Sequence, residues 1–253
     1  MEAAVYFTSY PHLDGLFSPS GYRPGSAVAF KGLSAVGKTT TLFQFLLAFE
    51  RRSLPIQLLS SEGDLDRLRS MGWPLHGHTQ QTEIRGFNSI EELTSKVSQW
   101  LDSPSPILLI DGFGRVACRT HRLTDVERKH TEERKRIRNI NASLLGQIRK
   151  KLPGSEKLLI VTDDDMDYSP TRARYLPIDV SFQFFDCFDA IFTIEANGIP
   201  TSHSFDIKIV PARLRAKGLR VNETSARIAI RDGAVLESKI TGRCYRYTRN
   251  REA

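Results

Sequence analysis

A glycine-containing loop stands near the start of the sequence, between a short apolar stretch and a longer amphipathic one. It runs Gly32-Leu33-Ser34-Ala35-Val36-Gly37-Lys38-Thr39 and fits the pattern G-x-x-x-x-G-K-(S/T). In this pattern main-chain N–H groups wrap phosphate oxygens, the lysine adds a positive charge and the hydroxyl can bind Mg²⁺. Ser26–Phe30 predicts a buried strand before the loop, and Thr39–Glu50 predicts a helix after it. This order restricts the chain to α/β folds built around a phosphate site.

Apolar runs and amphipathic stretches alternate along the rest of the chain. Strands are predicted at Ile56–Leu59, Ile107–Ile110, Leu158–Val161 and Ala190–Ile194, and helices at Ile90–Leu101 and Thr124–Lys151. Such alternation indicates a mainly parallel sheet with helices on both faces. Phe205–Val210 and Ala226–Arg231 predict an added antiparallel pair. We therefore expect one α/β core over residues 1–238 and a loose basic tail over residues 239–253.

A carboxylate ends the apolar run Ile107–Ile110. Asp111 at this position can hold Mg²⁺ through its water shell, together with the hydroxyl of Thr39. We therefore expect ATP and Mg²⁺ as cofactors. The nucleotide contacts that the loop predicts are Gly32, Ser34, Ala35, Val36, Gly37, Lys38, Thr39 and Thr40.

The composition is that of an ordinary globular protein, with 40% apolar and 26% charged residues and a net charge of +7. No apolar run approaches the roughly 20 residues that span a bilayer, so we expect no membrane partner. Met1–Tyr10 has no basic segment followed by an apolar one, and the three cysteines are scattered. We expect a reducing compartment, the cytoplasm, or the nucleus if the source is a eukaryote.

Motifs on both sides of the loop resemble those of RecA-type ATPases. His12–Leu16 and Gly21–Ser26 resemble the segments that open this fold. Ser60–Gly63 with Arg67-Leu68 resembles the T-E-G … R-L segment of eukaryotic strand-exchange recombinases, and Leu68–Gly72 resembles a stretch of phage recombinases. The resemblance covers about residues 12–236 and implies a minimal RecA-like core.

The resemblance assigns roles to three further residues. It implies that Glu62, next to the phosphate-loop strand, orients the attacking water. Arg67 would lie over the adenine, with a solvated helix arginine as the alternative. Arg213, or else Arg215, would be an arginine finger that reaches the neighbouring subunit's nucleotide, with basic surface for DNA as the alternative.

The sequence departs from the family at the end of the fourth strand. Recombinases usually carry Gln or His there, whereas this chain continues Thr162-Asp163-Asp164-Asp165. Carboxylates near a triphosphate repel it unless a cation intervenes. We expect either a different coupling to DNA or slow hydrolysis.

Basic residues concentrate after Asp111. Residues 112–151 contain twelve Lys and Arg against four Asp and Glu. Two segments, residues 115–122 and 166–180, fall where recombinases carry DNA-binding loops. Their arginines and aromatic rings suit single-stranded DNA, although ordinary surface loops are the alternative. The candidate DNA-binding residues are Arg115, Arg119, Arg122, Tyr168, Arg172, Arg174 and Tyr175.

Three functions are compatible with these features. The first is an ATP-dependent single-stranded DNA-binding protein of recombination and repair, which assembles into a filament or ring with ATP at its subunit interfaces and promotes pairing or strand exchange. The second is the core of a hexameric DNA helicase. The third is a non-catalytic recombinase paralogue that binds ATP and mediates for another recombinase. The partners expected are single-stranded DNA, further copies of the chain, and another recombinase or a single-strand-binding protein.

Overall fold

The computed structural model of the chain describes residues 5–33, 36–61, 82–112, 127–164, 187–197, 204–214, 219–231 and 234–248. The helices in these ranges are α1 (Pro11–Asp14), α2 (Lys38–Glu50), α3 (Ile90–Asp102) and α4 (Glu127–Lys151). The strands are β1 (Phe17–Ser18), β2 (Ser26–Gly32), β3 (Ile56–Ser60), β4 (Thr82–Gly86), β5 (Ile107–Asp111), β6 (Leu158–Asp164), β7 (Ala190–Asn197), β8 (Ser204–Leu214), β9 (Arg220–Arg231) and β10 (Ala234–Thr248).

These strands form one sheet in the order β1-β9-β8-β7-β2-β6-β5-β3-β4, with β10 paired to β9. From β7 to β4 the pairing is parallel, and β7, β8, β9 and β10 follow one another antiparallel. This arrangement confirms the predicted α/β fold with a mainly parallel core and a C-terminal antiparallel addition. The phosphate-loop strand β2 lies at the centre, between β6 and β7.

Helices cover both faces of the parallel half, as the buried strands require. Successive residues of β2 point to opposite faces, so Val28 and Phe30 pack with α2 while Ala27 and Ala29 pack with α3 and α4. On α3 the predicted apolar face is buried, and the Ser89 side chain caps the helix by accepting the N–H of Glu92 at 3.1 Å. In the part of the chain that the structure describes, no helix is long and apolar enough to cross a membrane.

Two expectations about the sheet are wrong. Residues 239–248 are not a loose tail, because they pair with β9 in register as part of β10, for example Lys239 opposite Arg227. The boundary expected between residues 238 and 239 therefore falls inside a strand, and residues 249–253 lie outside the described ranges. Strand β3, which precedes Glu62, is also not next to β2, because β6 and β5 lie between them.

Candidate functional site

The glycines of the phosphate loop occupy positions that exclude other residues. Gly37, just before α2, has a φ of 95°, in the left-handed region that favours glycine. A Cβ on Gly32 would lie 2.6 Å from the carbonyl oxygen of Ile194 on β7 and 2.8 Å from Val36 Cγ2. Val36 and Gly37 precede α2, and Lys38, Thr39 and Thr40 are its first three residues. Their predicted contacts with a nucleotide stay predictions.

Lys38 is buried at the base of the loop. Its side chain is 7% exposed, and Nζ donates hydrogen bonds to the carbonyl oxygens of Gly32 at 2.9 Å and Leu33 at 2.5 Å. The lysine therefore crosses the loop from the helix to the end of β2. This position keeps its charge near the N-terminus of α2, where the main-chain N–H groups of the helix also favour an anion.

Asp111 and Thr39 lie together although 72 residues separate them. Thr39 Oγ1 lies 3.2 Å from both carboxylate oxygens of Asp111, and Asp111 is 3% exposed at the end of β5. The order of the sheet explains this contact, since α2 packs across β2, β6 and β5. The structure thus joins the two residues that the sequence proposes for Mg²⁺.

Asp111 has a second hydroxyl neighbour that sequence reasoning missed. Thr162 on β6 is directly opposite Asp111 in register, and its Oγ1 donates to Asp111 Oδ1 at 2.6 Å. The sequence did signal this position, because a threonine ends a buried strand in Thr162-Asp163-Asp164.

The donor set at Asp111 suits a hydrated cation. Among the described residues, no group of three or more His, Cys, Asp or Glu lies close enough to hold a metal by itself. One carboxylate and one hydroxyl, Asp111 and Thr39, are instead the kind of set that holds Mg²⁺, which keeps several waters and shares phosphate oxygens. The residues present therefore fit a magnesium–nucleotide complex better than a free metal ion.

The acidic residues that end β6 differ in where they lie on the sheet. Asp163 is 8% exposed and follows Val161 on the sheet face that α3 and α4 cover, opposite the face of α2. It is level with Lys31 of β2, and Asp164 is level with Gly32. Asp163 therefore does not share the α2 face on which Asp111 meets Thr39. Asp165 lies outside the described residues.

Arg213 lies far from the phosphate loop of its own chain. It is exposed on β8 and pairs with Ile191 of β7, whereas Lys31 of β2 is level with Thr193. Arg213 is thus about three residues behind Gly32, roughly 10 Å along the strand direction, and two strands to the side. Its Cα is level with Ala29, in the middle of β2, and not with the end of β2 that carries the loop.

The other predicted site residues lie outside the described part of the chain and stay predictions. They are Ser34, Ala35, Glu62, Arg67, Arg115, Arg119, Arg122, Tyr168, Arg172, Arg174 and Tyr175. The structure does describe the residue before Glu62: Ser61 donates its N–H to the carbonyl oxygen of Asp111 at 3.0 Å. Ser61, the last described residue before Glu62, is therefore next to the candidate carboxylate Asp111.

No family model and no curated protein matches this sequence. Its structure is similar to that of a KaiC-like protein from the hyperthermophilic archaeon Pyrococcus horikoshii OT3. The TM-score is 0.63 at 16% sequence identity, and the match covers 95% of this chain and 100% of the other. At this identity the likeness concerns the fold. Together with the sheet order, it shows that this chain has a RecA-like fold.

Proposed function

We propose that this protein is a Mg²⁺-dependent ATPase whose complete catalytic sites form between copies of the chain. The observation that carries the proposal is the meeting of Thr39 with the buried Asp111 beside the loop that Lys38 crosses. A hydroxyl, a carboxylate and an ammonium group around a glycine turn are the groups that bind a magnesium–triphosphate complex. The RecA-like fold supports the same assignment.

Different residues of the chain would bind the phosphates, hold Mg²⁺ and orient the attacking water. The N–H groups of the loop and the Lys38 ammonium would bind the phosphates, while Thr39 and Asp111 would hold Mg²⁺ and its waters. When bound, Mg·ATP supplies the phosphoanhydride bond that is hydrolysed. Glu62 would orient the attacking water and accept its proton, a role that the resemblance to recombinases implies.

The position of Arg213 supports a site shared between subunits. Arg213 lies roughly 10 Å along the strand direction and two strands away from Gly32 of its own chain, farther than an arginine side chain extends, so we assign it to the loop of another copy. An arginine supplied from a neighbour stabilises the charge of a phosphoryl-transfer transition state. Head-to-tail packing of identical chains would then give every nucleotide one loop and one arginine.

Single-stranded DNA is the partner that the sequence favours. The surplus of basic residues after Asp111 and the arginines and tyrosines of residues 166–180 supply phosphate binding and base stacking. A recombination ATPase is therefore the first choice within the proposal. A helicase core and a recombinase mediator are the alternatives, and the acidic residues after Thr162 favour the mediator over the helicase.

The decisive test measures ATP hydrolysis with and without single-stranded DNA in wild type and Lys38→Ala. We expect hydrolysis in wild type, stimulation by DNA, and loss of both in Lys38→Ala. Lys96→Ala is the matched control, because Lys96 also donates its Nζ to a main-chain carbonyl, that of Gly86, but on α3. Equal hydrolysis in wild type and Lys38→Ala contradicts the ATPase assignment. Hydrolysis that DNA leaves unchanged contradicts the DNA-dependent part alone.

Electron microscopy of the same samples separates the alternatives. A filament that requires both nucleotide and single-stranded DNA supports the recombinase. A closed six-membered ring with unwinding activity supports the helicase. Nucleotide binding without turnover, combined with one-to-one binding to a separate recombinase, supports the mediator.

A further inference from the structure

The hydroxyl group of Thr162 holds the carboxylate of Asp111 from the strand next to it. We propose that Thr162 is a positioning residue for the Mg²⁺ site, an inference that rests on the ATPase function proposed above. Thr162 Oγ1 donates to Asp111 Oδ1 at 2.6 Å, whereas Thr39 Oγ1 lies 3.2 Å from each carboxylate oxygen. The shortest of these contacts therefore comes from a residue outside the phosphate loop.

The surroundings of Thr162 fix the direction of this hydrogen bond. Thr162 is fully buried on β6, between β2 and β5, and a β-branched side chain in a strand has few χ1 choices. A hydrogen bond from a hydroxyl to an ionised carboxylate is also about twice as strong as a neutral one. Asp111 thus has one oxygen held by a rigid neutral donor before any cation binds.

The main chain next to Asp111 completes the network. Gly112 N–H points to Thr162, 3.1 Å from its carbonyl oxygen and 3.4 Å from Oγ1. An ionised carboxylate can only accept, so the single hydrogen of Thr162 Oγ1 is donated to Asp111 while Oγ1 accepts from the Gly112 N–H. Gly112 has a φ of 73°, so the chain turns at this point. Thr162 therefore holds both the Asp111 carboxylate and the main chain of Gly112, the residue that follows β5.

A purely structural role for Thr162 is the competing explanation. In that case its hydrogen bonds would only fasten β6 to β5, and their loss would lower stability without affecting Mg²⁺. Thr224 on β9 offers a matched control, because it is equally buried and its Oγ1 donates to a carbonyl oxygen, that of His12, at 3.1 Å. A Val substitution removes one buried hydroxyl donor at either site.

The experiment titrates Mg²⁺ into each protein in the presence of a fluorescent ATP analogue and records equilibrium binding, with melting temperatures measured alongside. Removal of an outer residue that orients a metal ligand typically costs 10–100-fold in metal affinity. We therefore expect Thr162→Val to raise the Mg²⁺ midpoint at least tenfold, with little change in binding of the analogue without Mg²⁺. Thr162→Ser keeps the hydroxyl and should restore the midpoint to within about threefold of wild type. Thr224→Val should lower the melting temperature and leave the midpoint unchanged.

Several results would overturn the inference. A midpoint in folded Thr162→Val within twofold of wild type contradicts it, and so does a midpoint in Thr162→Ser as high as that expected for the Val variant. Asp111→Asn distinguishes this failure from failure of the proposed function. If the midpoint shifts in Asp111→Asn but not in Thr162→Val, only the role of Thr162 is lost. If wild type binds the analogue independently of Mg²⁺, the proposed function fails and the inference fails with it.

Discussion

His12 Nε2 and Gln44 Oε1 lie 3.2 Å apart in the core, where they join the short helix α1 to the phosphate-loop helix α2. His12 is fully buried, and this burial lowers the pKa of its imidazole to about 4. The folded protein therefore keeps His12 neutral at pH values where an unfolded histidine, with a pKa near 6.5, is already charged.

The buried His12 predicts that the protein loses stability in acid. Below about pH 6.5 the unfolded state binds a proton at this histidine and the folded state does not, so the free energy of unfolding falls as the pH drops from about 6.5 to 4. The His12 contribution to this loss is about 3 kcal/mol at full extent. Urea unfolding of wild type and His12→Gln at pH 7 and pH 4.5 measures it. The Gln variant should lose less stability on acidification, and an equal loss in both proteins would show that His12 is not responsible.

Two glycines should respond in opposite ways to alanine. In Gly32→Ala the new methyl group meets the carbonyl oxygen of Ile194, which β7 holds in place, so we expect about 1–3 kcal/mol of destabilisation and weaker nucleotide binding. Gly146 lies inside α4, where an added Cβ has no neighbour within 4 Å, so Gly146→Ala should stabilise by about 0.5–1 kcal/mol. Urea unfolding checks both values. Destabilisation by Gly146→Ala would contradict the open environment described for it.

A mixing experiment tests whether Arg213 acts on a neighbour. Arg213→Ala and Lys38→Ala should each be inactive alone. When they are mixed in equal amounts, about one interface in four combines an intact loop with an intact arginine, and hydrolysis should return at those interfaces. Mixing Lys38→Ala with Asp111→Asn is the control, because both changes damage the loop side. No recovery in the first mixture, although the proteins co-assemble, would place the arginine's role elsewhere.

The salt dependence of DNA binding tests the predicted DNA-binding segment, residues 166–180. Arg172→Ala with Arg174→Ala should weaken binding to single-stranded DNA and reduce the log–log salt slope by about 0.7 for each lost phosphate contact. ATP hydrolysis without DNA should change little. The matched comparison deletes residues 249–253, which removes Arg249 and Arg251 but leaves the residues of β10 in place. If this deletion weakens binding while the double variant binds normally, DNA contacts the C-terminus instead.

The first residues of the buried strands could be predicted from the sequence, whereas their ends were predicted one to three residues too early. Ile107–Ile110 and Leu158–Val161 are apolar on both faces because helices cover both sides, and such runs are distinctive. Strands β4 and β10 were not predicted, because each has a described neighbour on one side only. Thr82–Gly86 contains one apolar side chain, Ile84, and the residues of β10 are largely polar and basic.

The candidate site, too, could be predicted only in part. The loop and Asp111 could be identified because short sequence motifs are typical of them. The contact of Thr162 with Asp111 depends on which strands are neighbours, a property of pairings between distant segments. The order of the sheet was the missing information for Thr162, as it was for the separation of β2 and β3.

The loop follows the carboxyl end of β2, whereas Arg213 lies two strands away on β8, level with Ala29 in the middle of β2. If Arg213 serves the loop of a neighbouring chain, each chain uses two different surfaces in the assembly. An open row of n chains then contains n − 1 complete sites, with one unused loop at one end and one unused arginine at the other. A closed ring has no ends and contains n sites. Activity per chain should therefore rise with length in a filament and be constant in a ring, so that dilution alone would reveal which assembly forms.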